Sequence, residues 1–222
     1  MHSHLRIDVG FDLICPWCWI GKQYLEQALT LFAEAHPSAQ VEVHWHSVLL
    51  LPQVPTEGWP FAAFYERRLG SARAVQERQQ QVLLSARAVG LEIDFARIQT
   101  FPNTVKAHRL LAHARAQLTA SAFSALLQHL FIAYFQQGRN LGDPIELAAI
   151  AKNHAVNLNG LASIPEAPGL EALAASGVPY FTFNRHQTLS GAQPAELLLA
   201  AMQRNWRTPV SIETPSGLSW QS

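Results

Sequence analysis

Cys15 and Cys18 are the only cysteines in the chain, and they flank Pro16 and Trp17 directly after an alternating apolar segment. No other feature constrains the fold as much, because it prescribes an order of strand, short loop and helix. Leu5, Ile7, Val9 and Phe11 alternate with Arg6, Asp8 and Gly10, the period of a half-buried strand. Asp12 to Ile14 form a loop, and a helical pattern starts at the motif, where Pro16 suits the first helical position because its fixed φ fits and its missing N–H costs nothing. The helix is expected to run to Ala35 with Ile20, Tyr24, Ala28, Leu31 and Phe32 on its apolar side, and Pro37 ends it. Val41 to His46 alternate again, so the opening reads strand, helix, strand. In that setting a Cys-x-x-Cys pair points to thiol–disulfide chemistry.

The unpaired N–H groups and positive dipole end of a helix N-terminus favour an anion, which makes Cys15 the candidate nucleophile. Cys18 lies one turn further in, is more shielded, and is expected to resolve the mixed disulfide. Pro16 and Trp17 tune the pair and place no imidazolium beside it. Two structural thiols and half a zinc site are the alternatives. Structural zinc wants four Cys/His ligands, and the chain has no second cysteine pair, so redox chemistry is preferred and no metal site is expected. His44 and His46 share one strand face, but they read as its polar side, opposite Val41, Val43 and Trp45.

A hydrophobic content of 49% excludes global disorder, and 16 Lys+Arg against 16 Asp+Glu with no basic run argue against nucleic acid or an anionic membrane surface as partner. Partners are expected to be protein or small-molecule thiols and disulfides. Met1 to Arg6 carry no apolar leader pattern, and no apolar stretch reaches the length of a membrane span. A cytoplasmic location is expected, and in a reducing compartment a lone cysteine pair is catalytic or redox-sensing rather than a structural bridge.

Leu49 to Trp59 is loop, followed by helices over Phe61 to Leu69, closed by Gly70, and Ser71 to Val89, closed by Gly90. Leu91 to Phe101 reads as irregular. Asn103 is expected to cap a helix with apolar positions Ala107, Leu110, Leu111, Ala114 and Leu118. Phe123, Leu126, Leu127, Leu130, Phe131, Tyr134 and Phe135 form the cleanest helical stripe, and Gly138 stops it. Asp143-Pro144-Ile145-Glu146 is a capping box opening a helix to about His154. A loop to Gly169 and a short helix from Leu170 to Ala175 follow. Then come a Gly177-Val178-Pro179 turn, a hairpin of Tyr180 to Phe183 with Gln187 to Leu189, and a last helix from Pro194 to Asn205. The fold class is α/β, βαβ…ββα interrupted by an all-helical insertion: residues 1–55 and 176–205 form the discontinuous sheet domain, 56–175 the insertion, and 206–222 a tail.

Four blocks then stand in a familiar order: Asp12-Leu13-Ile14-Cys15-Pro16-Trp17-Cys18-Trp19-Ile20-Gly21, Pro102-Asn103-Thr104 with Ala107-His108-Arg109-Leu110, Gly177-Val178-Pro179-Tyr180-Phe181, and Ser190-Gly191-Ala192-Gln193-Pro194. Together they resemble the DsbA family of thioredoxin-fold proteins, in particular the FrnE-type subgroup. The resemblance implies a thioredoxin fold and a protein disulfide oxidoreductase or isomerase. It also implies a cis bond before Pro179, which would lie against the cysteines and leave the Val178 backbone to pair with substrate. By the same resemblance Asn103, His108 and Gln193 join Val178 and Pro179 as substrate-binding residues. Two departures stand out. The segment between His154 and Gly177 is short. Val9 occupies the position where relatives carry a buried carboxylate for proton transfer, which leaves that role to Asp12 or to water.

The same inserted architecture belongs to 2-hydroxychromene-2-carboxylate isomerases and kappa-class glutathione transferases, which have serine where this chain has Cys15 and activate bound glutathione. Retention of both cysteines favours redox over that glutathione-dependent alternative. A non-catalytic peptide-binding or chaperone module is the second alternative. No bound cofactor is expected. Glutathione is a candidate co-substrate, and the apolar insertion leaves room for a homodimer face.

Overall fold

The sheet assembles around β1 (His4–Phe11). The computed structural model describes residues 4–165 and 177–206. In it β1 pairs in parallel with β2 (Gln40–Ser47) and antiparallel with β5 (Tyr180–Phe183), which in turn pairs antiparallel with β6 (Gln187–Ser190). The order β2-β1-β5-β6 is that of a thioredoxin-like sheet with the motif strand inside it. Leu5, Ile7, Val9 and Phe11 are all buried, as their alternation predicts. Asp8 and Gly10 are buried as well, because a central strand is covered on both faces. A Cβ on Gly10 would lie 1.9 Å from the Tyr180 ring, so glycine is what allows that ring to cross the strand.

Asp8 is held by Arg6 and by His46 of β2, at 2.6 Å from each. Burial alone would raise its carboxyl, but the hydrogen bonds from Arg6 and His46 outweigh it and hold the group at about 2, below the usual 3.8. The stabilisation is therefore complete above the ordinary carboxylate range and is lost as pH falls towards about 2. After allowance for solvent screening it is of the order of 1 kcal/mol. Asp8→Asn should lower the urea midpoint near neutral pH and flatten the loss of stability between about pH 4 and pH 2. An unchanged acid slope would contradict this assignment.

α1 (Pro16–Ala35) follows the motif and buries Cys18, Trp19, Ile20, Leu25, Ala28 and Phe32. Two expected face positions differ: Leu31 is 44% exposed and Tyr24 only half-buried. The buried stripe is rotated towards Trp19 and Leu25 because α1 is clasped between two helices. On one side lies the final helix, whose Trp206 rings against Phe32 and His36. On the other lies the aromatic helix of the insertion. Trp19 stacks on Phe131 at 6.1 Å and Phe135 at 5.8 Å, and its Nε1 donates to Gln128 at 3.0 Å.

Between β2 and β5 run α2 (Phe61–Leu69), α3 (Ala72–Ala88), α4 (Val105–Ala114), α5 (Ala120–Phe135) and α6 (Pro144–Asn153); α7 (Ala195–Trp206) closes the described chain. Among the described residues the expected helices are present to within a few residues, and the hairpin is as expected. One feature is new. Trp59–Pro60 (β3) pairs antiparallel with Thr100–Phe101 (β4) inside segments that lack any strand period. Gly58 permits it, at φ 80 with the Thr100 methyl and Phe101 carbonyl where a Cβ would stand.

α4 ends at Ala114, so Leu118 packs beyond it. Asp143 caps α6 by accepting from the Ile145 N–H at 2.8 Å. The reciprocal half of that capping box is not made, because Glu146 pairs with Arg139 instead. The helix expected over 170–175 and the tail beyond 206 lie outside the described residues. Among those described, no helix is long and apolar enough to cross a membrane.

Candidate functional site

Cys15 is the N-cap residue of α1, in extended backbone, with Pro16 at the first helical position. Its N–H donates to the Asp12 carbonyl at 3.1 Å, and the Cys18 N–H donates to the Cys15 carbonyl at 3.0 Å, which folds the motif into one tight turn. Both thiols are free. Cys15 retains 7% exposure and Cys18 1%. Burial pushes the Cys18 thiol well up, and its hydrogen bond to the neighbouring Cys15 sulfur adds to this. The two sulfurs are thus unequal: the Cys18 thiol holds its proton and can donate a hydrogen bond to the Cys15 sulfur, and Cys15 is the more exposed of the two.

The Val178–Pro179 peptide bond is cis, and the Cys15 thiol reaches the Val178 carbonyl at 3.6 Å. Gly21 lets this turn abut α1, since a Cβ there would meet the Pro179 ring at 3.0 Å. The Gly191 N–H donates to the Pro179 carbonyl at 2.7 Å and fixes the turn to the end of β6. Gln193 belongs to that bend but is absent from the pocket beside Cys15, and its side-chain amide donates to the Ser190 carbonyl at 2.6 Å. Of the expected substrate-binding set, Val178 meets the Cys15 sulfur, Pro179 lies against α1 at Gly21, and Gln193 secures the loop next to them.

In front of Cys15 opens a pocket of about 580 Å³ whose wall is mostly apolar. Pro16, Trp17, Leu50 and Leu51 form the motif side, and α2 and α3 form the roof through Phe64, Tyr65, Arg68, Arg78 and Val82. The Arg78 guanidinium lies 5.6 Å over the Trp17 ring. Burial, and then the proximity of Cys15, push the Tyr65 hydroxyl up to about 12, so it remains a donor beside the sulfur. Sequence reasoning missed the roof. Phe61, Phe64, Tyr65 and Arg68 do stand at i, i+3, i+4, i+7 on α2, but helical spacing marks a face without saying what it faces.

Asp12 is fully buried. Its Oδ2 accepts from the Leu50 N–H at 2.9 Å, and its Oδ1 accepts from the Thr104 hydroxyl at 3.0 Å and meets His108 Nε2 at 3.1 Å. This corrects the expectation for His108, which has 0% exposure and contacts the motif loop rather than substrate. Asn103 is half-buried: its amide donates to the Val54 carbonyl at 2.6 Å, and its Oδ1 accepts from the Val105 N–H at 3.0 Å, so it caps α4 from one position earlier than a regular N-cap. His44 and His46 are paired with Glu42 and Asp8. No group of three potential metal ligands occurs among the described residues.

Residues 6–168, spanning the motif strand and nearly the whole insertion, match the DSBA-like thioredoxin domain. The chain belongs to that family. This DsbA-like protein is 27% identical to a probable DsbA oxidoreductase from Streptomyces coelicolor, with a TM-score of 0.80 over 99% of this chain and 100% of that one. It shares the fold of a 2-hydroxychromene-2-carboxylate isomerase (13% identity, TM-score 0.62, 90% of this chain and 95% of that one). It also shares the fold of the cytosolic disulfide reductase DsbM from Pseudomonas aeruginosa, solved with glutathione (16% identity, TM-score 0.54, 91% and 100%).

Proposed function

We propose that this DsbA-like protein is a thiol–disulfide oxidoreductase in which Cys15 attacks and Cys18 resolves. The Cys15 thiolate displaces one sulfur of a disulfide, leaving a Cys15 mixed disulfide and a free thiolate. Cys18 then attacks the Cys15 sulfur, forms the Cys15–Cys18 disulfide and releases the second thiol. The observation that carries this reading is the asymmetry of the pair: Cys15 caps a helix at the floor of the pocket with Val178 beside it, while Cys18 is buried and proton-retaining behind it.

The pocket also favours a substrate class. An apolar wall with Arg68 and Arg78 suits a small or extended thiol that bears carboxylates, and glutathione has that chemistry. The glutathione-bound disulfide reductase of the same fold supports this partner, and its cytosolic location supports the same compartment here.

The test is to equilibrate the protein in buffers of reduced and oxidised glutathione and quantify the Cys15–Cys18 disulfide by alkylation and intact mass. A single two-electron transition is expected, and its midpoint gives the direction of use, since about 30 mV corresponds to tenfold in the equilibrium constant. A protein that passes through the whole buffer series without forming that disulfide is not this enzyme.

A further inference from the structure

Beside the pocket in front of Cys15 lies a second hollow, of about 280 Å³, that the exchange steps leave without a role. The two spaces share Leu51, Phe64 and Arg68. Phe64 and Arg68 stand one turn apart on α2 and form the ridge between them, with Ala63 and Arg67 on the far flank and Tyr65 and Leu69 on the near one. The far wall is β3, which the pairing with β4 holds in place: Trp59 sits opposite Phe101, and its ring stacks on Phe64 at 5.4 Å. Phe61 and Phe101 are buried and serve as the local core, whereas Trp59 and Phe64 stay half-buried on the wall of the hollow. Leu50, on the Cys15 side, is 37% exposed, so apolar surface continues from the first pocket to the second.

The rim carries charge of one sign. Arg67 and Arg68 are exposed and join none of the ion pairs among the described residues. No acidic side chain lines either space, and Glu57 and Glu66, the nearest in sequence and both exposed, lie outside both linings. We propose that this hollow is a second substrate subsite, which takes an apolar side chain and an adjacent carboxylate of a peptide whose disulfide is presented to Cys15. The proposal rests on the exchange reading above and sharpens its substrate class to an acidic peptide or protein disulfide. A helix is about 10 Å across, a span that an extended chain covers in about three residues. Glutathione, with one residue on either side of its cysteine, falls short of that reach and fills the first pocket only.

The reduced protein is mixed with peptides whose single cysteine is held in a mixed disulfide with thionitrobenzoate. Attack by the Cys15 thiolate bonds its sulfur to the peptide cysteine and expels the thionitrobenzoate anion, the better leaving group, which stopped flow follows. One peptide carries a leucine and a glutamate about three residues from the cysteine on each side. A second has lysine for the glutamate, a third has serine for the leucine, and the glutathione mixed disulfide completes the set. The wild-type protein should react with the first peptide about tenfold faster than with the lysine peptide, and about tenfold faster than with the serine peptide. Arg67→Glu should invert the order of the glutamate and lysine peptides. Ala63→Trp, which fills the hollow, should erase the advantage of leucine over serine. Each comparison is a ratio within one variant, so a change in the reactivity of Cys15 itself cancels.

Equal rates for the three peptides overturn the proposal. So does a preference that survives both substitutions, which would put the selection in the first pocket. Arg87 is exposed at the end of α3 and lines neither space. An equal inversion by Arg87→Glu would reduce the charge preference to steering by the whole surface and overturn the proposal as well. If Ala63→Trp does not fold, Arg67→Glu decides by the same criteria. Absence of thionitrobenzoate release from every probe, that of glutathione included, would instead remove the exchange reading itself.

Discussion

Cys18→Ser is expected to stop the reaction halfway, and Cys15→Ser to stop it from starting. With oxidised glutathione, Cys18→Ser should accumulate one glutathione adduct per chain on Cys15, visible by intact mass. Cys15→Ser should carry none, and its disulfide exchange should fall by more than about a thousandfold, because the remaining thiol is 1% exposed and held protonated. The reverse pattern, with an adduct on Cys18, would exchange the roles of the two sulfurs. The Cys15→Ser protein also tests the glutathione-dependent alternative, which needs no thiol at this position. Glutathione conjugation that survives the substitution would move the protein to their side.

Trp19→Ala should be the most damaging single change outside the motif. Trp19 is fully buried, stacks on two rings of α5 and donates to Gln128, so truncation opens a cavity between α1 and α5 and leaves an amide oxygen without its donor. A loss of about 3–5 kcal/mol is expected for such a site, read as a fall in the urea midpoint. A loss below about 1 kcal/mol would show that α5 repacks freely against α1.

Where local chemistry decides the structure, the chain was readable. The alternation of Leu5 to Phe11, proline after Cys15, Ser71 and Asp143 at helix starts and the two-residue period after Pro179 all act over a few residues, and the elements stand where they were expected. Asp8 reads as the polar face of a half-buried strand and is buried instead, with His46, remote in sequence, closing on its carboxylate. Leu31 read as core and is exposed for the converse reason. The cysteines could be found without any structure. The pocket roof and the Asp12–His108 contact could not, because nothing in the order of residues brings α2 above Trp17 or α4 against Asp12. The resemblance puts His108 on the substrate side, whereas in the fold it is buried against Asp12.

The pairing of β1 also has a consequence in time. Val9 faces Trp45 on one side and Phe181 on the other, so the central strand takes one neighbour from the opening of the chain and the other from near its close. During synthesis the first strand, helix and second strand can come together early, with the cysteines already in their turn. The Val178 carbonyl reaches Cys15 only after the whole insertion has emerged. Contacts so far apart in sequence slow folding, and until they form an apolar strand edge stands open. For that interval a nascent chain would hold both thiols without the Val178 carbonyl beside Cys15.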